Sequence, residues 1–390
     1  MKILLIHNKY GKFSGEEAVA EAQLKVLEEN GHQVITYFRS SEEIETMNYG
    51  KAKAFFLALK NNQVINDVTK ILETEKPDIV HIHNLYPLIS PAILPVIKKR
   101  NIPIVMTIHN YRLLCPNGLF FTNDSICEKC TGALKEINCI TNNCEGSMFK
   151  SVGYALRNFW ARTNKQYINN VDSFMCLTQF QKNKLVKNGF DANKCDVIPN
   201  FYTKDIEDED VDFSTKSYVA FAGRISPEKG IPVLLDAARK LPNIPFQIAG
   251  LMRAGYEKFL NVPPNVTFRG MLNSDEMEVF YKKAKFYVHT SKCYEGFAMV
   301  FPEAMSKKLP IIAPNFSFFP EAVKEEITGL LYKQGDSNDL ANKIESLFYN
   351  KEKIINLGRN GFERVSNKYD KVSYYNMVLN VYNKVINPQK

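Results

Sequence analysis

The chain alternates, twice over, between short apolar runs and longer amphipathic stretches. The first series of runs is "KILLIHN" (2–8), "QVITYF" (33–38), "DIVHIHN" (78–84), "IPIVMTIHN" (102–110) and "SFMCLT" (173–178). The second is "SYVAFAGR" (217–224), "PFQIAG" (245–250), "NVTFRG" (265–270), "FYVHTS" (286–291) and "PIIAP" (310–314). Each run is too short for a core helix and apolar throughout, the pattern of a strand covered on both faces. The spacers read as helices; "EEAVAEAQLKVLEENG" (16–31) ends on a glycine stop signal. Strand, helix, strand in this order makes a parallel sheet, so the expected class is α/β with two doubly wound domains. A length of 390 residues suits two such cores better than one.

The break falls in "NFYTKDIEDEDVDFSTKS" (200–217), which is polar, acidic and without periodicity. The expected domains are 1–205 and 206–370, with a final helix over 371–390. Asp208-Glu209-Asp210 forms a D-x-D in this segment and reads as solvated linker rather than as a metal site. No apolar run reaches the ~20 residues of a membrane span. The N-terminus lacks the long apolar region of a secretory leader and reads as a first strand of a cytoplasmic protein. The net charge of +8 is spread along the chain rather than gathered in a block, which speaks against nucleic acid. A phosphorylated ligand or an anionic lipid surface remains compatible with it.

In doubly wound sheets ligands bind beyond the carboxyl ends of the strands. His7, His83 and His109 fall at the ends of three first-half strands, and His81 lies inside one of them. The loop between Gly11 and Gly15 opens a helix and can present backbone N–H groups to a phosphate. It is not G-x-G-x-x-G, so the dinucleotide fingerprint of an oxidoreductase is absent. In the second half "FAGRISPEKGI" ends a buried strand at Gly223 and places Arg224 at the rim. Ser226 and Pro227 read as N-cap and first residue of a helix, and Lys229 follows. Two cations there suit a pyrophosphate. In "YEGFAMVFPEA" (294–304) Pro302 is expected to open a helix, with Glu303 in its first turn, ionised and aimed at a ribose diol. Glu295 is placed for a sugar hydroxyl. The backbone N–H groups of Gly296, Phe297, Ala298 and Met299 are expected to face the same ligand.

Together, G-R-x4-K-G over 223–230 and E-x7-E over 295–303 resemble glycosyltransferase family 4, retaining sugar-nucleotide transferases of GT-B fold. The resemblance covers nearly the whole chain, including the glycine loop, "TIHN" (107–110) and "VIPNF" (197–201). It implies two Rossmann-like domains facing across a cleft, the first on the acceptor side, with the final helix crossing back to it. Arg224 and Lys229 would bind the donor pyrophosphate, Glu303 the ribose and Glu295 the transferred sugar; His109 would lie by the reacting sugar as the catalytic candidate. Fixed cations would replace a catalytic metal, so no cofactor is expected for catalysis. The implied activity is retaining hexosyl transfer from a nucleotide diphosphate sugar, UDP before GDP. The acceptor would be a polysaccharide or lipid-linked glycan, met at the inner face of the cell membrane. A transferase acting on a small soluble acceptor, and a non-catalytic sugar-nucleotide-binding scaffold, are the rival readings. Ser14 and Phe201 depart from the family pattern, which usually has glycine at both.

Five of the eight cysteines fall between 115 and 146. Cys127 and Cys130 form C-x2-C, and Cys139 and Cys144 form C-x4-C. The spacing suits a structural zinc; free thiols in a loop are the other reading. The insert resembles that of one branch of the family. After it, 147–167 carries Phe149, Val152, Leu156, Phe159 and Trp160 at helical spacing, with Lys150, Arg157, Arg162 and Lys165 mostly elsewhere and no acid. That stripe either packs on the core or lies in an anionic membrane surface.

Overall fold

The computed structural model describes residues 1–11, 15–48, 50–130 and 135–388, apart from the side chains of Lys51 and Ala52. The chain forms two compact units. One comprises Met1–Phe120, Cys127–Thr203 and Lys371–Lys390; the other comprises Phe121–Ile126 and Lys204–Asp370. Each holds a six-stranded sheet whose pairings are all parallel.

The strands of the first unit are β1 (Lys2–Lys9), β2 (Gln33–Ser40), β3 (Ile79–Ile82) and β4 (Ile104–Ile108). A short antiparallel hairpin, β5 (Phe121–Thr122) with β6 (Ser125–Ile126), clusters with the second unit. β7 (Ser173–Cys176) and β8 (Cys195–Val197) complete the first sheet, in the order β2-β1-β3-β4-β7-β8. The order reverses between β1 and β3, so the ends of those strands open a crevice at the sheet's rim. β1, β3, β4 and β7 are buried almost throughout, as their unbroken apolar sequences require. The helix Lys371–Ile386 packs in this same unit. Tyr374, Val378, Val381 and Tyr382 join Ile3, Ile79, Val105 and Met175 in one core. Phe201 fills that core and stacks on Tyr374 with ring centroids 4.2 Å apart.

The second unit has β9 (Tyr218–Ala222), β10 (Phe246–Ala249), β11 (Val266–Gly270), β12 (Ala284–Val288), β13 (Ile311–Pro314) and β14 (Gly329–Tyr332). Their order is β11-β10-β9-β12-β13-β14, the doubly wound arrangement that reverses between β9 and β12. The segments after these two strands are the ones that carry the G-R-x4-K-G and E-x7-E patterns. Gly250 permits close approach at this rim: a Cβ there would sit 1.8 Å from the carbonyl oxygen of Gly223. Among the described residues, no helix is long and apolar enough to cross a membrane.

Candidate active site

In the second unit, β9 ends beside β12, and the turn after each brings distant charges together. Ser226 has the extended backbone of an N-cap, but Pro227–Lys229 closes only one 3-10 turn. The α-helix begins later, at Ile231, after Gly230 turns left-handed at φ 66. The Ser226 hydroxyl caps nothing and is buried without a partner. Gly230 has no room for a side chain: a Cβ would meet the Thr290 carbonyl oxygen at 2.0 Å. The Thr290 hydroxyl donates to the Lys229 carbonyl at 2.8 Å, fastening the turn to the end of β12.

This packing places Lys229 Nζ 2.8 Å from Glu295 Oε1. His289 Nε2 lies 3.0 Å from the same oxygen. Burial acts to raise the Glu295 carboxyl, but Lys229 and His289 outweigh it and hold the group well below the usual carboxylate range. Burial likewise opposes charge on Lys229, and Glu295 overcomes it, so the ammonium is held more firmly than usual. Burial keeps His289 below its ordinary value despite Glu295. The two residues expected to bind separate parts of a donor are thus joined in one ion pair. His289, which sequence reasoning passed over, completes it; its place at the end of a strand facing the rim was the available signal. Arg224 is the more accessible cation, with its side chain 69% exposed and Glu228 at 3.6 Å.

Glu303 corrects two expectations. Its helix starts at Val300, two residues before Pro302, and Glu303 still falls in the first turn. The carboxyl is not held ionised: burial pushes it up to about 7, only partly offset by the Tyr281 hydroxyl, which donates to Oε2 at 3.0 Å, and by Lys204. Between the two acids, among the described residues, nothing accepts a hydrogen bond from the N–H groups of Gly296, Phe297, Ala298 and Met299. Unpaired donors of this kind are available to a ligand.

In the first unit, His83 and His109 each follow their strand by one residue, and His7 lies two residues before the end of β1. His83 Nδ1 contacts His109 Nε2 at 2.7 Å, and their rings stack with centroids 5.0 Å apart. Gly15 is the first residue of the helix Gly15–Glu29. Residues 12–14 of the loop before it, including Ser14, lie outside the described residues. Glu16, also overlooked in the sequence, accepts from the Tyr10 hydroxyl at 2.9 Å and the Asn110 amide at 3.4 Å. Its other oxygen is buried without a partner, and burial pushes the carboxyl up to about 7.

The cysteine insert brings its thiols together: Cys130 and Cys139 share one buried cluster, with Cys144 packed against it. Among the described residues, no group of three or more His, Cys, Asp or Glu side chains is arranged to hold a metal. The insert's cysteines are free thiols; Cys130 interacts with Cys115 and Cys139 with Cys144, and Cys130 and Cys139 are buried against Ala155. In the helix Met148–Thr163 the apolar stripe does not pack on the core as a whole. The helix buries Ser151, Gly153, Ala155, Asn158 and Ala161 and exposes Met148, Phe149, Leu156 and Phe159. Arg157, off the apolar stripe as its spacing has it, is 4% exposed. It lies between the Tyr86 and Tyr154 rings at 4.0 and 4.3 Å and donates to the Pro116 carbonyl at 3.1 Å.

Residues 203–364 match the family model "Glycosyl transferases group 1", and residues 13–205 match "Glycosyltransferase Family 4". An uncharacterized glycosyltransferase of Methanocaldococcus jannaschii is 28% identical over 297 residues, 75% of this chain and 72% of that protein. The poly(ribitol-phosphate) alpha-N-acetylglucosaminyltransferase of Staphylococcus aureus is 27% identical over 250 residues, 61% of this chain and 47% of that protein. Among solved structures, Anabaena HepE in complex with UDP and glucose aligns with a TM-score of 0.67 at 17% identity, covering 98% of this chain and 100% of that one. Sucrose-phosphate synthase from Thermosynechococcus elongatus aligns at 0.71 and 16%, covering 100% of both. At such identities the likeness to solved structures is one of fold.

Proposed function

Because the chain belongs to glycosyltransferase family 4, with the paired parallel sheets of the GT-B fold, we propose that it is a retaining, metal-independent hexosyltransferase. It uses a UDP-sugar and glycosylates a polysaccharide or lipid-linked acceptor. The observation that carries this reading is the charged rim after β9 and β12: Arg224, the Lys229–Glu295–His289 group and Glu303, flanked by the unpaired N–H groups of Gly296–Met299. A solved neighbour with UDP and glucose bound, and a relative that is an N-acetylglucosaminyltransferase, support the donor class.

Cleaving a glycosyl–phosphate bond leaves negative charge on the departing diphosphate. Arg224 is itself exposed, and its contact with the buried Glu228 is long at 3.6 Å, so its guanidinium can turn toward a phosphate. Lys229 has three N–H donors, so it can reach a phosphate oxygen while still holding Glu295. Glu303 receives the ribose hydroxyls and Glu295 a hydroxyl of the sugar; His109, of the first unit, is the catalytic candidate. The leaving phosphate takes the acceptor's proton as the new bond forms on the same face. Release of nucleotide diphosphate from a panel of UDP- and GDP-sugars, with acceptor and EDTA present, tests the reading. Full activity in EDTA and an unchanged anomeric configuration by proton NMR support it; dependence on added metal, or inversion, contradicts it.

The protein works at the inner face of the cell membrane, and the helix Met148–Thr163 is its contact. That helix and Gly50–Leu59 pack together and contain no acid. Their outer faces show Phe56, Met148, Phe149, Leu156 and Phe159 together with Lys53, Lys60 and Lys150. Aromatic side chains with lysines and no acids suit the boundary of an anionic bilayer.

A further inference from the structure

Four of the six histidines, His7, His81, His83 and His109, lie side by side across the inner strands of the first sheet. Burial lowers His81 and His109 to about 3 and His83 well below its ordinary value. Each ring is therefore neutral near pH 7 and carries one proton. Its position follows from the neighbours. At His81, the Gln23 amide nitrogen and the Tyr382 hydroxyl both meet Nδ1, at 2.8 and 2.6 Å. An amide nitrogen only donates, and with the Tyr374 hydroxyl donating to Gln23 Oε1 at 2.6 Å it is the Gln23 nitrogen that faces His81. His81 Nδ1 is thus an acceptor, and its proton sits on Nε2, donated to the Thr107 hydroxyl at 2.8 Å.

His83 stacks on His81 at 4.8 Å with planes 4° apart. Its Nδ1 meets His109 Nε2 at 2.7 Å, a contact with room for one proton. If His109 held that proton, His83 would carry its own on Nε2. That nitrogen is buried and has no partner. Buried N–H groups without an acceptor are rarer than bare acceptors. The proton in the contact belongs to His83.

We propose that His83 is a positioning residue: donating from Nδ1 to His109 Nε2, it locks His109 as the Nδ1–H tautomer. His109 then acts as a hydrogen-bond donor to a hydroxyl or anionic oxygen of the substrate, and not as a general base. This rests on the reading that places His109 at the reacting sugar. The polar chain through Gln23, Tyr374 and Tyr382 ties the orientation of the histidine stack to the C-terminal helix.

The test is long-range proton–nitrogen NMR on the full chain labelled with [15N]histidine, with the six rings assigned by single variants. The expected spectra show His83 and His109 as Nδ1–H and His81 as Nε2–H. His83→Asn, whose amide can reach the place of Nδ1, keeps the His109 tautomer and a kcat near wild type. In His83→Ala the His109 ring loses its single tautomer and kcat falls about ten- to a hundredfold, with donor KM little changed. An Nε2–H or charged His109 overturns the proposal, as does a His109 spectrum unaltered by His83→Ala. The spectra need no substrate, so this result is separate from the loss of transfer in His109→Ala, which tests the placement of His109 in the site.

Discussion

Lys229 and Glu295 are each costly to bury alone and stable together, which makes them a measurable unit. Lys229→Met leaves the Glu295 carboxylate without its cation, and thermal denaturation should show a loss of about 2–4 kcal/mol. Adding Glu295→Gln should recover most of it, because the two changes share one interaction. Two additive losses would show that the pair is not coupled. Glu303 gives a pH signature. Its carboxyl titrates at about 7 in the folded chain against an ordinary value of 4.5. Between those values the folded state holds more protons than the unfolded one. The resulting stability is present below the ordinary value and lost as pH rises through the folded one. Glu303→Gln should flatten this fall and raise stability by about 1–2 kcal/mol at pH 8. Donor affinity should run the other way, rising through pH 7 as the carboxylate forms. A wild-type stability profile flat across this range would mean that the carboxyl is not buried as described.

Elements explain why some of this was legible in the sequence. The apolar runs marked ten strands of the two sheets. Most are buried almost throughout, and a strand covered on both faces admits little but apolar residues, while β2 and β11 are half-buried or exposed along most of their length. β8, at three residues, and β14, whose four residues begin with a glycine, are too short to stand out as runs. The helix Met148–Thr163 shows a sharper limit. Its periodicity was plain, but periodicity does not say which stripe faces in. Small side chains at Gly153 and Ala155 let it pack closely, and Arg157 finds two aromatic faces and a carbonyl inside. The larger apolar residues are therefore left outside. In liposome flotation, Phe149→Ser and Phe159→Ser should each lower binding to anionic vesicles about tenfold or more while the fold holds. Equal binding by wild type and variants would end the membrane assignment. At the β9 turn, Gly230→Ala should cost about 2–4 kcal/mol through a strained φ and the Thr290 carbonyl. No loss in Tm would show the turn free to shift.

At the scale of the whole molecule, the sequence motifs located the rim residues but not their partnerships. Lys229 and Glu295 stand 66 positions apart, and only the pairing of β9 with β12 brings them into contact. The same distance conceals His289 from pattern reading until the strands are in place. In the first unit, the stack of histidines depends on β1, β3 and β4 being neighbours and on a helix contributed by the far end of the chain. The donor site proposed on the second unit is metal-independent and built from Arg224, Lys229, Glu295 and Glu303. Calorimetric titration of UDP and UDP-sugars into the folded protein in EDTA tests it most directly. Wild type should bind saturably, and binding should weaken about tenfold or more in Arg224→Ala and Glu303→Ala without loss of the fold. Binding that appears only with added divalent metal, or that is unchanged in both variants, would contradict it.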